Sequence, residues 1–198
     1  MKLILASNNE HKLAEVRAVL GPLGFEIQSQ SELKVAPIEE TGESFLENAL
    51  QKARYLAKFT NLPVIADDSG LEVAALGGAP GVFSARCAGE GADAKARRLW
   101  LLDQLKGVPL EKRDAIFRCV IVGIFESKAY PLIAEASWRG KIALTEQGLN
   151  GFGYDPLFIV PNLGCTAAEL APEVKNRLSH RGKALARLAT LIHEEYYD

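Results

Sequence analysis

Two adjacent aspartates at the end of an apolar run constrain this chain more than any other feature of its sequence. Residues 64–66 have the composition of a buried strand, and Asp67, Asp68, a serine and a glycine follow directly. Neighbouring carboxylates repel each other, and each resists leaving water unless a cation compensates its charge. The carboxyl end of a strand is also where open α/β sheets bind ligands. The pair therefore predicts a site at which a cation compensates both acids, unless a turn leaves one of them in solvent.

The pattern of apolar residues predicts an α/β fold with a mixed sheet. Leu13, Val16 and Leu20 recur at helical spacing, and Ser44 with Glu47 matches the S-x-x-E box that begins a helix. Strands alternate with helices in the first half of the chain and cluster in the second half. We expect strands over 2–6, 25–29, 63–66, 71–76, 115–125, 130–139 and 157–160, a turn around 126–128, and helices over 10–20, 45–57, 93–105 and 179–196.

Composition limits the class of protein. The chain has 198 residues and a net charge of −2, which argues against nonspecific binding to nucleic acid or to an anionic membrane. No apolar run approaches the roughly 18 residues of a membrane helix, and the N-terminus lacks the pattern of a signal peptide. Cys87, Cys119 and Cys165 are widely spaced and form no zinc or redox motif. We therefore expect one cytoplasmic domain over residues 1–198, with reduced thiols and no nucleic-acid or membrane partner.

The segment ASNNEHK, residues 6–12, joins a predicted strand to a predicted helix. Free backbone N–H groups and the dipole at a helix start favour an anion, although the dipole alone contributes only about 0.3–1 kcal/mol. Lys12 lies near the first helical turn and could add a point charge for a phosphate. The alternative is that the residues from Ser7 to Asn9 only cap the helix.

Acidic residues precede the second predicted helix. Glu47 is explained by the capping box, whereas Glu39 and Glu40 lie outside the helix and are explained less well by capping. A hard divalent cation would resolve the repulsion between Asp67 and Asp68, since Mg²⁺ binds one or two carboxylates together with water and substrate phosphates. The alternative is a turn that leaves one aspartate solvated.

The segment GLNGFGYDPLF is richer in glycine than a strand connection requires. Gly151 and Gly153 free the backbone around Phe152 to expose its ring, and Tyr154 and Asp155 follow. An aromatic ring beside a carboxylate suits stacking on a heterocyclic base and hydrogen bonding to it. The alternative is a two-glycine hairpin with Phe152 in the core.

The segment KNRLSHRGKA gathers basic residues before and at a predicted helix N-terminus, where positive charge is unfavourable. They are Lys175, Arg177, His180, Arg181 and Lys183. Their position suggests an anionic or polar ligand. Contact with RNA is the alternative, but the chain lacks the basic charge and the aromatic platform expected for it.

The chain resembles the noncanonical purine nucleoside triphosphate pyrophosphatases, also called the inosine triphosphate or dITP/XTP pyrophosphatase family. The matching segments, in order, are SNNEHK, EETGESFLENA, ADDSGLEV, GGAPGVFSAR, FGYDPLF and LSHRGKAL, and they span residues 7–185. The resemblance implies Mg²⁺-dependent hydrolysis of ITP, dITP and XTP to the monophosphate and pyrophosphate. It also implies a cytosolic homodimer with an elongated mixed sheet flanked by helices, and a substrate cleft between two lobes.

The resemblance also implies roles for individual residues. Asp68 would be the general base and a metal ligand, and Glu39 or Glu40 would assist the metal. Magnesium-activated water would attack the α-phosphorus and expel pyrophosphate. The substrate would contact Ser7, Asn8, Asn9, Glu10, His11 and Lys12 through its triphosphate, Ser69, and Phe152, Gly153, Tyr154, Asp155, Lys175, His180 and Arg181 around the nucleoside.

Two other functions stay open on the sequence alone. A general nucleotide or phosphate-monoester hydrolase would use the same acids and release orthophosphate. A noncatalytic nucleotide- or RNA-binding module would keep its affinity after Asp68→Asn and would have no turnover to lose. The sequence specifies neither the preference among ITP, dITP and XTP nor the basis on which GTP is rejected.

Overall fold

Strands first alternate with α-helices in the computed structural model, which describes residues 1–125 and 130–196. The strands are β1 (Lys2–Leu5), β2 (Glu26–Ser29), β3 (Val64–Val73), β4 (Asp114–Ile124), β5 (Leu132–Ile142) and β6 (Phe158–Ile159). The α-helices of the described residues are α1 (Glu10–Leu20), α2 (Phe45–Leu56), α3 (Ala94–Gln104), α4 (Pro172–Leu178) and α5 (His180–Tyr196). The alternation extends as far as β4, and β4, β5 and β6 then follow without an α-helix between them in the residues described.

The strands form one mixed sheet in the order β2-β1-β3-β4-β5-β6. Strand β1 is parallel to both β2 and β3, whereas β6 is antiparallel to β5. The predicted α/β class with a mixed sheet is therefore confirmed. The turn predicted around residues 126–128 lies outside the described residues, and α4 was not predicted.

Side chains cap the starts of α1 and α2. The Asn9 side chain accepts hydrogen bonds from the backbone N–H groups of His11 and Lys12 at the start of α1. The capping box predicted for α2 is present, since Ser44 and Glu47 each bind the backbone of the other. These side chains satisfy N–H groups that have no partner inside the helix, and so they fix both helix starts.

The sequence predicted that the strand would end at the aspartate pair, but β3 continues through it. It runs from Val64 to Val73 and includes Asp67, Asp68 and Gly70, and a 3₁₀ turn at Ala74–Leu76 follows it. Successive side chains of a strand point to opposite faces. The two neighbouring carboxylates therefore turn away from each other, which removes the reason to expect a turn between them.

The chain divides into two compact units. The first unit comprises Met1–Asp68, Cys119–Ala136 and His180–Asp198, and the second comprises Ser69–Arg118 and Ser137–Ser179. Within the described residues, no helix is both long and apolar enough to cross a membrane. Each unit has its own apolar core. The first core includes Leu3, Leu5, Leu13, Val16, Ile65, Ile121, Leu185, Leu188 and Ile192, and the second includes Leu71, Leu101, Phe117, Trp138, Leu157 and Phe158.

Candidate active site

In the first unit, Asp67 lies at the centre of a buried group of cations. Its side chain is 1% exposed. Lys12 of α1 donates to Oδ1, and Arg181 of α5 donates through Nε to Oδ2 over 3.0 Å. The Cys119 thiol of β4 donates to the same Oδ2 over 2.9 Å. Three elements distant in sequence therefore meet at this carboxylate.

The charges around Asp67 keep it ionised. Burial raises its pKa, but Arg181 and Lys12 together outweigh burial and hold the pKa of Asp67 well below its usual range. Burial lowers the pKa of Arg181, but Asp67 and Glu15, whose Oε2 lies 2.5 Å from Nη1, raise it overall. Burial and then Asp67 raise the pKa of Cys119, so the thiol stays protonated and remains a donor. Asp67 therefore acts as a permanent anion rather than as a proton acceptor near neutral pH.

Asp68 meets a different set of groups, supplied by α2. Asp68 is 6% exposed. The Lys52 ammonium lies 3.0 Å from Oδ1, and the Asn48 amide donates to Oδ2 over 3.2 Å. Lys52 also donates to Glu40 Oε1 over 2.5 Å and to the backbone carbonyl of Asp67 over 2.8 Å. One ammonium group thus joins the two carboxylates of Asp68 and Glu40.

The pKa of Asp68 shifts in the opposite direction to that of Asp67. Burial raises it and the nearby Glu40 carboxylate raises it further, while Lys52 acts against both, and the net pKa is above the usual value. Paired groups whose surroundings push their pKa values apart are the pattern by which acid–base roles are assigned. Asp68 is therefore the better proton acceptor of the two.

We predicted that Mg²⁺ compensates the charges of the two adjacent aspartates. In the structure, lysine and arginine side chains compensate them instead. The chain itself supplies the compensation through Lys12 and Arg181 for Asp67 and through Lys52 for Asp68. The pleat of β3 separates the two carboxylates, so each can have its own cation. A metal ion is not needed to bury them.

A divalent cation nevertheless fits the donor set. Among the described residues no group of three or more His, Cys, Asp or Glu side chains could hold a metal ion. Mg²⁺ needs only one or two carboxylates when phosphate oxygens and water complete its shell. Glu40 and Asp68 already converge on one cation, the Lys52 ammonium, whereas Glu39 is exposed. Between the two glutamates left open by the sequence, the structure brings only Glu40 to Asp68.

The loop before α1 carries the predicted phosphate-binding residues. The Ser7 hydroxyl accepts from the Asn9 N–H over 3.1 Å, so Ser7 and Asn9 both support the helix start. Lys12 faces Asp67, while the remaining members of the loop and first turn, Asn8, Glu10 and His11, are exposed. Capping is therefore present, and binding of an anion by the same loop stays a prediction.

In the second unit, the glycine-rich segment folds around a buried carboxylate. Asp155 Oδ2 accepts from the Phe152 N–H over 2.8 Å and from Lys175 Nζ over 2.5 Å. Lys175 Nζ also lies 4.7 Å from the centroid of the half-buried Phe152 ring. Gly151 and Gly153 have φ angles of +71° and +61°, which side-chain-bearing residues rarely adopt. The glycines thus allow the turn that brings the backbone onto Asp155.

Ser69, another predicted substrate contact, is half-buried in β3.

Tyr154 belongs to the second apolar core. The Tyr154 hydroxyl donates to the Ser84 carbonyl over 2.8 Å and lies 3.0 Å from the Cys87 sulfur. Burial, and then Cys87, raise the pKa of Tyr154. Its side chain therefore packs the core, and a contact between Tyr154 and a nucleotide stays a prediction.

The basic residues of KNRLSHRGKA lie before and at the start of α5, which begins at His180 as the sequence predicted, and binding of an anionic or polar ligand by them stays a prediction. Lys175 lies in α4 of the second unit and pairs with Asp155. His180 and Arg181 are buried at the start of α5 in the first unit, where Arg181 pairs with Asp67 and Glu15. Arg181 is stable at a helix start because these two carboxylates outweigh the helix dipole.

Four residues at the site were not predicted from the sequence: Cys119, Asn48 and Lys52, which contact the aspartate pair, and Glu15, which contacts Arg181. Asn48 follows Phe45 by three positions and therefore lies on the apolar face of α2, and a polar residue there was a usable signal. Lys52 follows Asn48 by one helical turn, so the two share a face. No local pattern marks Glu15, because its partner Arg181 is 166 positions away.

Known proteins match the chain over nearly its full length. The model of the Ham1 family matches residues 3–191. A Methylococcus capsulatus protein named dITP/XTP pyrophosphatase is 53% identical over 192 residues, which are 96% of each chain. A Photobacterium profundum protein of the same name is 50% identical over 194 residues, which are 98% of each chain.

Solved structures also match. The structure of a HAM1 protein from Coxiella burnetii superposes with a TM-score of 0.88 at 48% identity and covers 98% of this chain and 99% of that one. The Staphylococcus aureus Ham1 protein gives a TM-score of 0.86 at 39% identity, with 98% of this chain and all of that one covered. The family model and these two solved structures thus carry the same name, Ham1.

Proposed function

The chain belongs to the Ham1 family, and we propose that it hydrolyses noncanonical purine nucleoside triphosphates, namely ITP, dITP and XTP, to the monophosphate and pyrophosphate. The observation that carries this proposal is the pair of buried aspartates that meet different partners, Lys12 and Arg181 at Asp67 and Lys52 and Asn48 at Asp68, and the opposite directions of their pKa shifts support it. One stays ionised among cations, and the other is suited to accept a proton. The dITP/XTP names of relatives about 50% identical support the substrate class.

The first unit handles the triphosphate in this proposal. The loop from Ser7 to Asn9 and the first turn of α1 offer backbone N–H groups to phosphate oxygens. Asp67 fixes Lys12 in the first turn of α1, so the charge of Lys12 is in place before the substrate arrives. Preorganised cations stabilise developing negative charge without reorganisation in the reaction.

Mg²⁺ is the proposed cofactor, and Glu40 with Asp68 would hold it together with phosphate oxygens. When bound, the ion neutralises charge on the polyphosphate and makes water a better nucleophile. Lys52 contacts both carboxylates and so holds them close together before the ion binds.

Asp68 is the proposed general base. It takes a proton from the water whose oxygen forms the new bond to the α-phosphorus. The bond from the α-phosphorus to the bridging oxygen of the β-phosphate breaks, and its electron pair leaves with pyrophosphate. The products are then the nucleoside monophosphate, pyrophosphate and the proton held by Asp68.

Recognition of the nucleoside rests, in the proposal, on residues that the family resemblance implies. The Phe152 ring suits stacking on a purine, and donors from His180 or Arg181 suit a 6-oxo group. A site that donates to an oxo group leaves those donors unpaired against the 6-amino group of adenine, and such matching can discriminate by about 10⁴–10⁵. The remaining proposed contacts come from Ser69, Gly153, Tyr154, Asp155 and Lys175.

A substrate panel tests the proposal. The protein is incubated with Mg²⁺ and each common or deaminated nucleoside triphosphate, and pyrophosphate and orthophosphate are assayed separately. We expect pyrophosphate from ITP, dITP and XTP and much less from ATP and GTP. Orthophosphate alone would indicate a general phosphohydrolase, and binding with no product would indicate a noncatalytic module.

The proposal includes a homodimer in the cytoplasm, and the family resemblance alone supports both points. Sedimentation at micromolar protein concentration tests the first of them. A species with twice the chain mass of 21.5 kDa is expected, and a monomer would contradict it.

A further inference from the structure

We propose that Asn48 is a positioning residue for the hydrolysis proposed above, because one side-chain amide holds both the Asp68 carboxylate and the loop that carries Glu40. Asn48 is fully buried in α2. Its Nδ2 donates to Asp68 Oδ2 over 3.2 Å, and its Oδ1 accepts from the Gly42 N–H over 2.8 Å. If the amide were reversed, its Nδ2 would face the Gly42 N–H and its Oδ1 would face Asp68 Oδ2, and neither hydrogen bond could form. The orientation of the amide is therefore fixed.

The next turn of α2 holds the other oxygen of Asp68. Lys52 lies four positions after Asn48, hence on the same helix face. Its ammonium contacts Asp68 Oδ1 over 3.0 Å and also binds Glu40. With each oxygen held by a different side chain, the carboxylate cannot rotate freely about its Cβ–Cγ bond. A general base needs this fixed orientation toward its water.

Gly42 allows the loop to approach Asn48. A Cβ at this position would lie 2.7 Å from Asn48 Oδ1, 2.7 Å from Glu47 Cβ and 3.0 Å from the Asn48 backbone nitrogen. Only a residue without a side chain fits against the helix here. The Gly42 N–H can therefore reach the amide that also binds Asp68, and the backbone two residues after Glu40 becomes tied to that carboxylate.

Gln51 provides a matched control because it ties the same loop to the same helix. Its Oε1 accepts from the Thr41 N–H over 3.2 Å, and its Nε2 donates to the Thr41 hydroxyl over 3.1 Å. These hydrogen bonds hold the loop without involving Asp68. If Asn48 acts only by holding the loop, Asn48 and Gln51 variants should have similar effects.

The experiment compares Asn48→Leu, Gly42→Ala and Gln51→Leu with wild type in dITP hydrolysis. Asn48→Leu keeps a similar volume and removes both hydrogen bonds, whereas Gly42→Ala keeps the amide but displaces it. We expect kcat to fall about 10- to 100-fold in both, the range found when residues that orient a functional carboxylate are lost. KM should stay within about threefold, and kcat of Gln51→Leu within about twofold of wild type.

Two further measurements separate positioning from folding. In hydrogen exchange, the Gly42 amide should be protected in wild type and in Gln51→Leu and exposed in Asn48→Leu. The carboxyl carbon resonance of Asp68 should move in Asn48→Leu and Gly42→Ala but not in Gln51→Leu. If Asn48→Leu does not fold, Gly42→Ala decides by the same criteria.

Folded Asn48→Leu or Gly42→Ala with the kcat of Gln51→Leu would overturn the inference and leave the proposed function intact. An unmoved Asp68 resonance in both variants would also overturn it. Wild-type protein that releases no pyrophosphate from dITP would overturn both the proposed function and the inference.

Discussion

On one face of β3, Asp67 meets Lys12 of α1, Arg181 of α5 and the Cys119 thiol, whereas on the other face Asp68 meets Asn48 and Lys52 of α2. The two residues are neighbours of one type, and both are buried. The pKa of Asp67 is held low by two cations, while the pKa of Asp68 is raised by burial and by Glu40.

This difference shows that two adjacent residues of one strand can have different roles. The two cations that adjoin Asp67 make it a structural anion that orders Lys12 and Arg181. The face with one lysine for two carboxylates makes Asp68 a proton acceptor. Substitution of Asp67 should therefore reduce stability, because it removes the shared partner of two cations, whereas substitution of Asp68 should reduce mainly turnover.

The largest expected effect is on the rate in Asp68→Asn. Loss of a general base typically slows a reaction by about 10²–10⁴-fold, and the isosteric amide should preserve the fold. Steady-state pyrophosphate release and circular dichroism measure the two properties. A folded Asp68→Asn variant with wild-type turnover would break the comparison.

Asp67→Asn should instead be strongly destabilising. It leaves Lys12 and Arg181 buried without their shared partner, and breaking a buried ion pair typically costs about 3–5 kcal/mol of unfolding free energy. Chemical denaturation measures this loss, with Asp68→Asn as the control from the opposite face. Equal losses in the two variants would show that the faces do not differ.

The dependence of stability on pH should have opposite signs for the two aspartates. The folded-state pKa of Asp67 is below the unfolded value of about 3.9, so its contribution is present above that pH and is lost as the pH falls below it. The folded-state pKa of Asp68 is raised, so folding favours its protonated form and stability declines as the pH rises above about 3.9.

Unfolding free energies measured across this range test both signs. Asp67→Asn should flatten the loss of stability toward acid, and Asp68→Asn should remove part of the decline above about pH 4. Parallel curves for the two variants would contradict the assignment.

The smallest effect is expected at Cys119. Cys119→Ala removes a hydrogen bond to a buried charge and should cost about 1.5–3 kcal/mol of unfolding free energy, whereas Cys119→Ser keeps a donor and should cost less. Turnover of both folded variants should stay near wild type because Asp68 faces away from the thiol. A rate loss as large as that of Asp68→Asn would mean that the faces are coupled.

Local patterns determined much of the fold. The spacing of Leu13, Val16 and Leu20 predicted α1, and the capping box of Ser44 and Glu47 predicted the start of α2. Such elements depend on residues within a few positions of each other, so the sequence alone carries the information. The aspartate pair and Lys12 were likewise recognisable from their places beside strand and helix ends.

The tertiary structure alone decided how the two aspartates differ. Arg181 reaches Asp67 across 114 positions, and Asn48 and Lys52 reach Asp68 across 20 and 16. A pKa depends on the charges and the burial around a group in space, and neither is a property of neighbouring letters. The sequence therefore determined that two identical acids are adjacent. The tertiary structure determined which charged groups surround each of them, because the pleat of β3 turns them toward different helices.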